Sequence, residues 1–227
     1  MSPRLESYQC APARRHPEVI GSMNNRFIAA AAGLILAGVS LPALAVDGDI
    51  EAGERKAATC VACHGAQGNS NNPAWPSLAG QPADYIVYQL QLFRDGDRQD
   101  PLMTPQAAGL SDEDIRDLAV YYEAQEAVFH EADEELVERG REIYRAGIPG
   151  QGVAACMACH GPAGEGVKGA QYPRVAGQHA QYMRKALREY RDEERDSDPN
   201  RMMRDIASRM SDEDIEAVTE YMTGLHR

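Results

Sequence analysis

Two short motifs of cysteine and histidine are the part of this sequence best suited to chemistry. They read Cys60-Val-Ala-Cys63-His64 and Cys156-Met-Ala-Cys159-His160. Both have the form Cys-x-x-Cys-His, the pattern for covalent attachment of c-type haem. Two thiols three positions apart on a helical turn reach the two vinyl groups of a porphyrin edge, and the next histidine directs its imidazole at the iron. The spacing predicts two covalently bound haem c groups, attached through Cys60, Cys63, Cys156 and Cys159, with His64 and His160 as iron ligands.

Paired cysteines also occur in zinc sites and in disulfides. A zinc site can use Cys-x-x-Cys pairs but does not require the histidine that follows both of them here. A disulfide framework would be compatible with export of the protein. A thioredoxin-like redox pair would need a βαβ pattern, which the chain lacks. Haem attachment is therefore the favoured interpretation.

The opposite face of each iron needs a further ligand, and methionine there raises the reduction potential and closes the site. Met103 is the one methionine between His64 and Met157, and it lies eight residues before Ser111 in a predicted loop between two helices. Counting back eight residues from Ser211 gives Met203. We predict Met103 and Met203 as the ligands and assign Met202 and Met210 to packing.

Three further histidines could compete for the iron, and two proline carbonyls could hold the predicted histidine ligands. His130, His179 and His226 are rival ligands, but all three are predicted to be solvated surface residues. An acceptor usually holds the free ring nitrogen of a metal-bound histidine. The carbonyls of Pro76 and Pro173, 12 and 13 residues after the predicted ligands, suit this role.

The chain contains the same unit twice. Pro76-Ser-Leu-Ala-Gly80-Gln81 recurs 97 positions later as Pro173-Arg-Val-Ala-Gly177-Gln178, and Ser111-Asp-Glu-Asp-Ile115 recurs 100 positions later from Ser211. Self-similarity at a fixed offset indicates a duplicated domain. We assign residues 1–45 to an N-terminal extension and leader, 46–130 to the first domain and 131–227 to the second.

Both copies are predicted to be helical, because neither shows the alternating pattern of strands. Aromatic residues make up only 6% of the chain, and a unit of under 100 residues cannot bury a large conventional core. A haem in each copy would supply the missing apolar volume. The predicted helices of the first copy are 50–63, 83–94 and one that begins at Ser111; those of the second are 134–145, 180–195 and one that begins at Ser211.

The N-terminal segment is predicted to direct export to the periplasm. The apolar run 27–44 follows Arg26 and ends in Ala43-Leu44-Ala45, the small-x-small pattern read by signal peptidase. Ser40 and Pro42 interrupt the run, which makes it a weak membrane span. We expect cleavage after Ala45. The first 22 residues precede a second candidate start at Met23, so the start codon is left open between Met1 and Met23.

The charge balance is acidic, with 35 Asp and Glu against 23 Lys and Arg. Residues 46–227 retain 33 acidic and 19 basic side chains. This balance argues against nucleic-acid binding, which needs a basic surface. An acidic protein is expected to dock on a basic patch of its redox partner, with a rate that falls as salt rises.

On these residues the chain resembles the cytochrome c4 family of two-haem periplasmic carriers. The resemblance covers nearly all of residues 46–227, including both Cys-x-x-Cys-His motifs, the Pro-x-x-Ala-Gly-Gln stretches, the methionines and both Ser-Asp-Glu-Asp-Ile segments. It implies an all-α fold of two tandem class I cytochrome c domains, each wrapped around one covalent haem with His and Met ligands. It also implies electron transfer from a quinol-oxidising cytochrome bc complex to a terminal oxidase, often of the cbb type.

Three functions fit this pattern, and a freestanding monomeric electron carrier, not an enzyme, is the favoured one. The alternative is a dihaem subunit of a complex, such as the partner of a sulfide-oxidising flavoprotein, which would co-purify with that flavoprotein. A haem enzyme, such as a peroxidase or a thiosulfate-oxidising protein, would need an open or unusually ligated iron. Only the methionine pair of the second copy leaves room for that.

Overall fold

The computed structural model describes residues 45–226, and their regular structure is almost entirely helical. No strand occurs in this range, which contains only two isolated β-bridges, Ile148 with Val153 and Val167 with Tyr172. The predicted all-α class is therefore confirmed. The ten α-helices of this range are α1 (Ile50–Ala57), α2 (Val61–His64), α3 (Ala83–Asp95), α4 (Met103–Ala107), α5 (Asp112–Glu123), α6 (Glu134–Ala146), α7 (Met157–His160), α8 (Ala180–Arg191), α9 (Met202–Ala207) and α10 (Asp212–Gly224).

The two copies follow the same helix order, α1–α5 and then α6–α10. The predicted boundary after residue 130 lies in the segment between α5 and α6. The predicted leader, with its apolar run and cleavage site, lies outside the described residues except for Ala45. No helix of the described range is long and apolar enough to cross a membrane.

Each copy is built on the crossing of its first and last helices. A Cβ added at Gly53 of α1 would overlap the Asp117 carbonyl of α5 and lie 2.7 Å from Tyr121 Cβ. A Cβ added at Gly140 of α6 would overlap the Ala217 carbonyl of α10 in the same way. Both positions need glycine because the two helix backbones touch there.

The buried apolar side chains form two clusters, one in each copy. In the first copy, Ile115, Leu118, Ala119 and Tyr122 of α5 are all buried and form the apolar face of that helix. In the second copy, Ile215, Val218 and Met222 of α10 are buried in the equivalent arrangement. Two separate cores agree with two tandem domains.

The last helix of each copy begins where the sequence predicts. Ser111 Oγ accepts a hydrogen bond from the Asp114 amide at 3.1 Å, and Asp114 Oδ2 accepts one from the Ser111 amide at 3.0 Å. Ser211 caps α10 through the Asp214 amide, also at 3.1 Å. These bonds satisfy amides that have no partner in the first helical turn.

Two predicted helices are shorter than expected. The helix predicted over 50–63 is interrupted by a turn after Ala57, where Thr59 Oγ1 donates to the Lys56 carbonyl at 3.3 Å and competes with the helical bond. The helix predicted to reach Arg195 ends at Arg191. Glu193 has a φ of 59°, which turns the chain so that Arg195 faces back into the protein.

The two methionine segments are short helices, so the loop predicted around Met103 is wrong. Asp100 Oδ1 accepts from the amides of Leu102 and Met103 at 2.9 and 3.0 Å, and this caps α4. Asp198 Oδ2 accepts from the amides of Met203 and Arg204 in the second copy. An aspartate a few residues ahead of each methionine was the sequence signal for these helices.

Candidate functional site

Each Cys-x-x-Cys-His motif forms a single helical turn. The His64 amide donates to the Cys60 carbonyl at 2.9 Å, and the His160 amide donates to the Cys156 carbonyl at the same distance. Both turns are followed by glycines at positive φ, 76° at Gly65 and 83° at Gly161, which end them abruptly. The turn therefore brings two thiols and an imidazole together in each copy.

The two histidines are buried and each is held by one ring nitrogen. His64 Nδ1 lies 2.8 Å from the Pro76 carbonyl oxygen, and His160 Nδ1 lies 2.9 Å from that of Pro173. Burial lowers the pKa of both imidazoles below the ordinary value, and the proline carbonyls only partly oppose this. A neutral imidazole that donates through Nδ1 leaves Nε2 free as a metal ligand.

All the predicted haem residues line one cavity of about 810 Å³ that extends through both copies. Its wall is largely apolar and includes Leu90, Phe93, Leu118, Val175 and Leu187. The predicted residues along it are Cys60, Cys63, His64, Pro76, Met103, Cys156, Cys159, His160, Pro173 and Met203.

The methionines of the second copy occupy different environments. Met210 is 5% exposed, packs within the second core and also lines the cavity. Met202 and Met203 both line the cavity, and the Tyr172 hydroxyl donates to Met202 Sδ at 3.8 Å. Ala107 and Ala207 are both fully buried, and each lies four residues after Met103 or Met203. This equivalence supports Met203 as the counterpart of Met103.

The prediction that His179 is a solvated surface residue is wrong. His179 is 8% exposed, its Nε2 lies 2.8 Å from the Ser70 carbonyl oxygen, and its ring stacks on His130 with centroids 4.1 Å apart. His130 is half-buried, with no partner for its Nε2, and burial lowers its pKa. His226 is exposed, as predicted. The burial of His179 comes from the contact between the two copies, which the local sequence does not reveal.

Comparison with known proteins agrees with this geometry. The family model described as cytochrome c matches residues 50–124 and 137–226. A cytochrome c4 of Thiocapsa roseopersicina is 49% identical over 180 residues, which cover 78% of this chain and 93% of the relative. The chain belongs to the cytochrome c4 family.

Two further relatives extend the comparison. The crystal structure of reduced recombinant cytochrome c4 from Pseudomonas stutzeri matches with a TM-score of 0.76 and 40% identity, and the match covers 79% of this chain and all of that one. A protein of Stutzerimonas stutzeri named thiosulfate dehydrogenase electron acceptor is 40% identical over 206 residues, which cover 87% of this chain and 94% of that protein. Like other cytochromes c4, the protein has two cytochrome c domains and two covalent haem c groups as cofactors.

The polar part of the cavity wall fits the carboxylates of haem propionates, and no sequence motif predicted it. Arg195 is 6% exposed, donates to Gln89 Oε1 at 2.9 Å and lacks a hydrogen-bond partner at Nε. Arg98 reaches the same Gln89 oxygen at 2.6 Å. Burial alone would raise the pKa of Tyr182, but Arg98 and Arg195 lower it below its ordinary value. Arginine is suited to such carboxylates because its donors form a planar fork.

The other uses of the cysteines have less support. In residues 45–226, no cluster of three or more His, Cys, Asp or Glu side chains is arranged to hold a metal ion. No disulfide joins Cys60, Cys63, Cys156 and Cys159 in this range. A zinc site of four protein ligands is therefore not formed there.

Proposed function

We propose that the protein is a periplasmic carrier that passes single electrons through two haems with His and Met ligands. Cys60 and Cys63 attach the first haem, with His64 and Met103 on its iron. In the second domain, Cys156 and Cys159 attach the haem, and His160 and Met203 bind the iron. The bound haem supplies a one-electron iron couple whose potential depends on its axial ligands and on its surroundings.

The observation that carries this proposal is the same donor set in both copies. In each, a one-turn helix offers two thiols and a buried imidazole fixed by a proline carbonyl, and a methionine lines the same cavity. With a histidine and a methionine bound to the iron of each haem, no ligand position would be left for a substrate. This favours electron transfer over catalysis.

The proposed route is from a cytochrome bc complex to a terminal oxidase of the cbb type. A second candidate donor is supported by two relatives that are each named thiosulfate dehydrogenase electron acceptor. In that case electrons would come from a thiosulfate-oxidising enzyme. A dihaem subunit of a sulfide-oxidising flavocytochrome is the remaining alternative.

The test is the near-red absorbance of the oxidised protein, measured per haem after the haem content is determined. A ferric haem with a methionine sulfur ligand has a weak charge-transfer band there. We expect two haems per chain, a full-strength band for both, and a monomer that elutes without a flavoprotein. A missing band would reopen the enzyme interpretation, and a fixed stoichiometry with a flavoprotein would favour the subunit.

A further inference from the structure

Two glutamines at equivalent positions cross the boundary between the domains in reciprocal fashion. Gln178 Oε1 accepts from the Ser77 amide at 2.9 Å, and its Nε2 donates to the Ser77 carbonyl at 2.8 Å. Gln81 Oε1 accepts from the Arg174 amide at 2.6 Å, and its Nε2 donates to the Arg174 carbonyl at 3.1 Å. Both side chains are buried, with Gln178 7% exposed and Gln81 6% exposed. Each domain therefore holds a backbone segment of the other.

The segments that they hold are the ones that contact the histidines. The Ser77 amide belongs to the same peptide group as the Pro76 carbonyl, and that carbonyl lies 2.8 Å from His64 Nδ1. The Arg174 amide shares its peptide group with the Pro173 carbonyl, 2.9 Å from His160 Nδ1. A continuous chain of hydrogen bonds thus runs from each glutamine, through one peptide group, to the histidine of the opposite domain.

We propose that Gln178 and Gln81 are positioning residues that set the reduction potential of the haem in the opposite domain. The inference rests on the proposed roles of His64 and His160 as iron ligands. An acceptor on a peptide N–H polarises that amide and makes its carbonyl a stronger acceptor, because hydrogen bonds in a chain reinforce one another. A stronger acceptor at Nδ1 makes the imidazole a more basic ligand.

The sign of the effect follows from the charge on the iron. A more basic imidazole stabilises the ferric form over the ferrous form, which lowers the potential. Gln178 therefore lowers the potential of the first haem and Gln81 that of the second. Both hydrogen-bond chains exist only when the two domains are in contact. The packing of the domains therefore affects the reduction potentials of both haems.

The test compares the potentials of both haems in holo-protein variants, with each potential assigned by NMR. In Gln178→Leu we expect the equilibrium constant for oxidation of the first haem to fall about threefold. At ~59 mV per tenfold change, its reduction potential would rise by about 30 mV. The second haem should keep its potential. Gln81→Leu should produce the mirror-image result. Exchange of the His64 Nδ1 proton in the reduced protein should be faster in Gln178→Leu.

Two further variants separate the hydrogen-bond chain from general loosening of the interface. Gln178→Glu keeps an acceptor oxygen in either protonation state, so the first haem should show no upward shift. His179→Leu removes a cross-domain bond to Ser70 of the same segment but leaves the Pro76–Ser77 peptide untouched. We expect a smaller shift there than in Gln178→Leu. If Gln178→Leu does not yield folded protein, Gln178→Asn, which is too short to make both bonds, takes its place.

Equal shifts of both haems in each variant, or no shift, would overturn the inference. So would a shift in His179→Leu as large as that in Gln178→Leu. Haem content and the near-red band are measured on the same samples. Their loss in the unsubstituted protein would instead count against the proposed function.

Discussion

At the residue scale, the two methionines of α9 are the least equivalent part of the duplicated site. Met103 is single, whereas Met202 and Met203 are adjacent and both line the cavity. Successive residues of a helix point about 100° apart, so the two sulfurs cannot occupy the same position. The alignment through Ala107 and Ala207 favours Met203, and the Tyr172 hydroxyl already engages Met202.

Substitution of each methionine tests this assignment. In Met203→Ala we expect the near-red band to fall to about half, because one of two sulfur ligands is lost. Met202→Ala, which changes the neighbouring side chain of the same helix, is the matched control and should keep the full band. Loss of half the band in Met202→Ala, with the full band kept in Met203→Ala, would show that Met202 and not Met203 is the counterpart of Met103.

At the element scale, both domains depend on one close helix crossing. Backbone contact between α1 and α5, and between α6 and α10, leaves no room for a Cβ at Gly53 or Gly140. Forced overpacking typically costs about 1–3 kcal/mol. Glycine at these two positions therefore allows the first and last helices of each domain to pack with their backbones in contact.

Glycine-to-alanine variants measure this cost. We expect Gly53→Ala and Gly140→Ala each to lower the free energy of unfolding by about 2 kcal/mol, since the helices must move apart. Gly109 and Gly150 have nothing within 4 Å of an added Cβ, so Gly109→Ala and Gly150→Ala should change stability by less than about 0.5 kcal/mol. Urea unfolding of the holo-protein, followed by circular dichroism, gives the comparison. An equal change in the free energy of unfolding in all four variants would mean that the helix crossings do not require glycine.

Local patterns predicted most of these elements. The Ser-Asp-Glu-Asp-Ile segments cap α5 and α10, and the periodicity of Ile115, Leu118 and Tyr122 marks the buried face, because capping and amphipathicity act within one helix. The shortened α8 was not predictable in this way. Its end is fixed by Arg195, which donates to Tyr85 and Gln89 of the other domain, more than 100 positions away.

The same limit applies to the candidate site. The motif spacing placed the cysteines, histidines and proline carbonyls of both copies, since each set lies within about 20 residues of the chain. The burial of His179 and the role of the glutamines depend on contacts between Ser70 and His179 and between Ser77 and Gln178, 109 and 101 positions apart. The repeat revealed Gln81 and Gln178 as equivalent positions but not what they contact.

At the scale of the whole molecule, the negative charge is unevenly distributed. Residues 46–130 contain 14 acidic and 5 basic side chains, whereas residues 131–227 contain 19 and 14. Many cations of the second domain are engaged in ion pairs, such as Arg184 with Glu220 and Arg191 with Asp212. From the residue counts, the net charge is −9 in residues 46–130 and −5 in residues 131–227. A basic partner is therefore attracted more strongly to the first domain.

This difference predicts how the electron-transfer rate responds to salt and to charge reversal. With a basic c-type cytochrome as the partner, we expect the rate to fall as ionic strength rises, because the Debye length shortens from about 30 Å at 0.01 M to about 10 Å at 0.1 M. The rate with an uncharged small oxidant should stay constant. Glu113→Lys and Glu213→Lys change the same exposed position of the two Ser-Asp-Glu-Asp-Ile segments, and Glu113→Lys should slow the reaction more. Equal slowing would show that the partner does not distinguish the domains, and a rate independent of salt would show that charge does not guide docking.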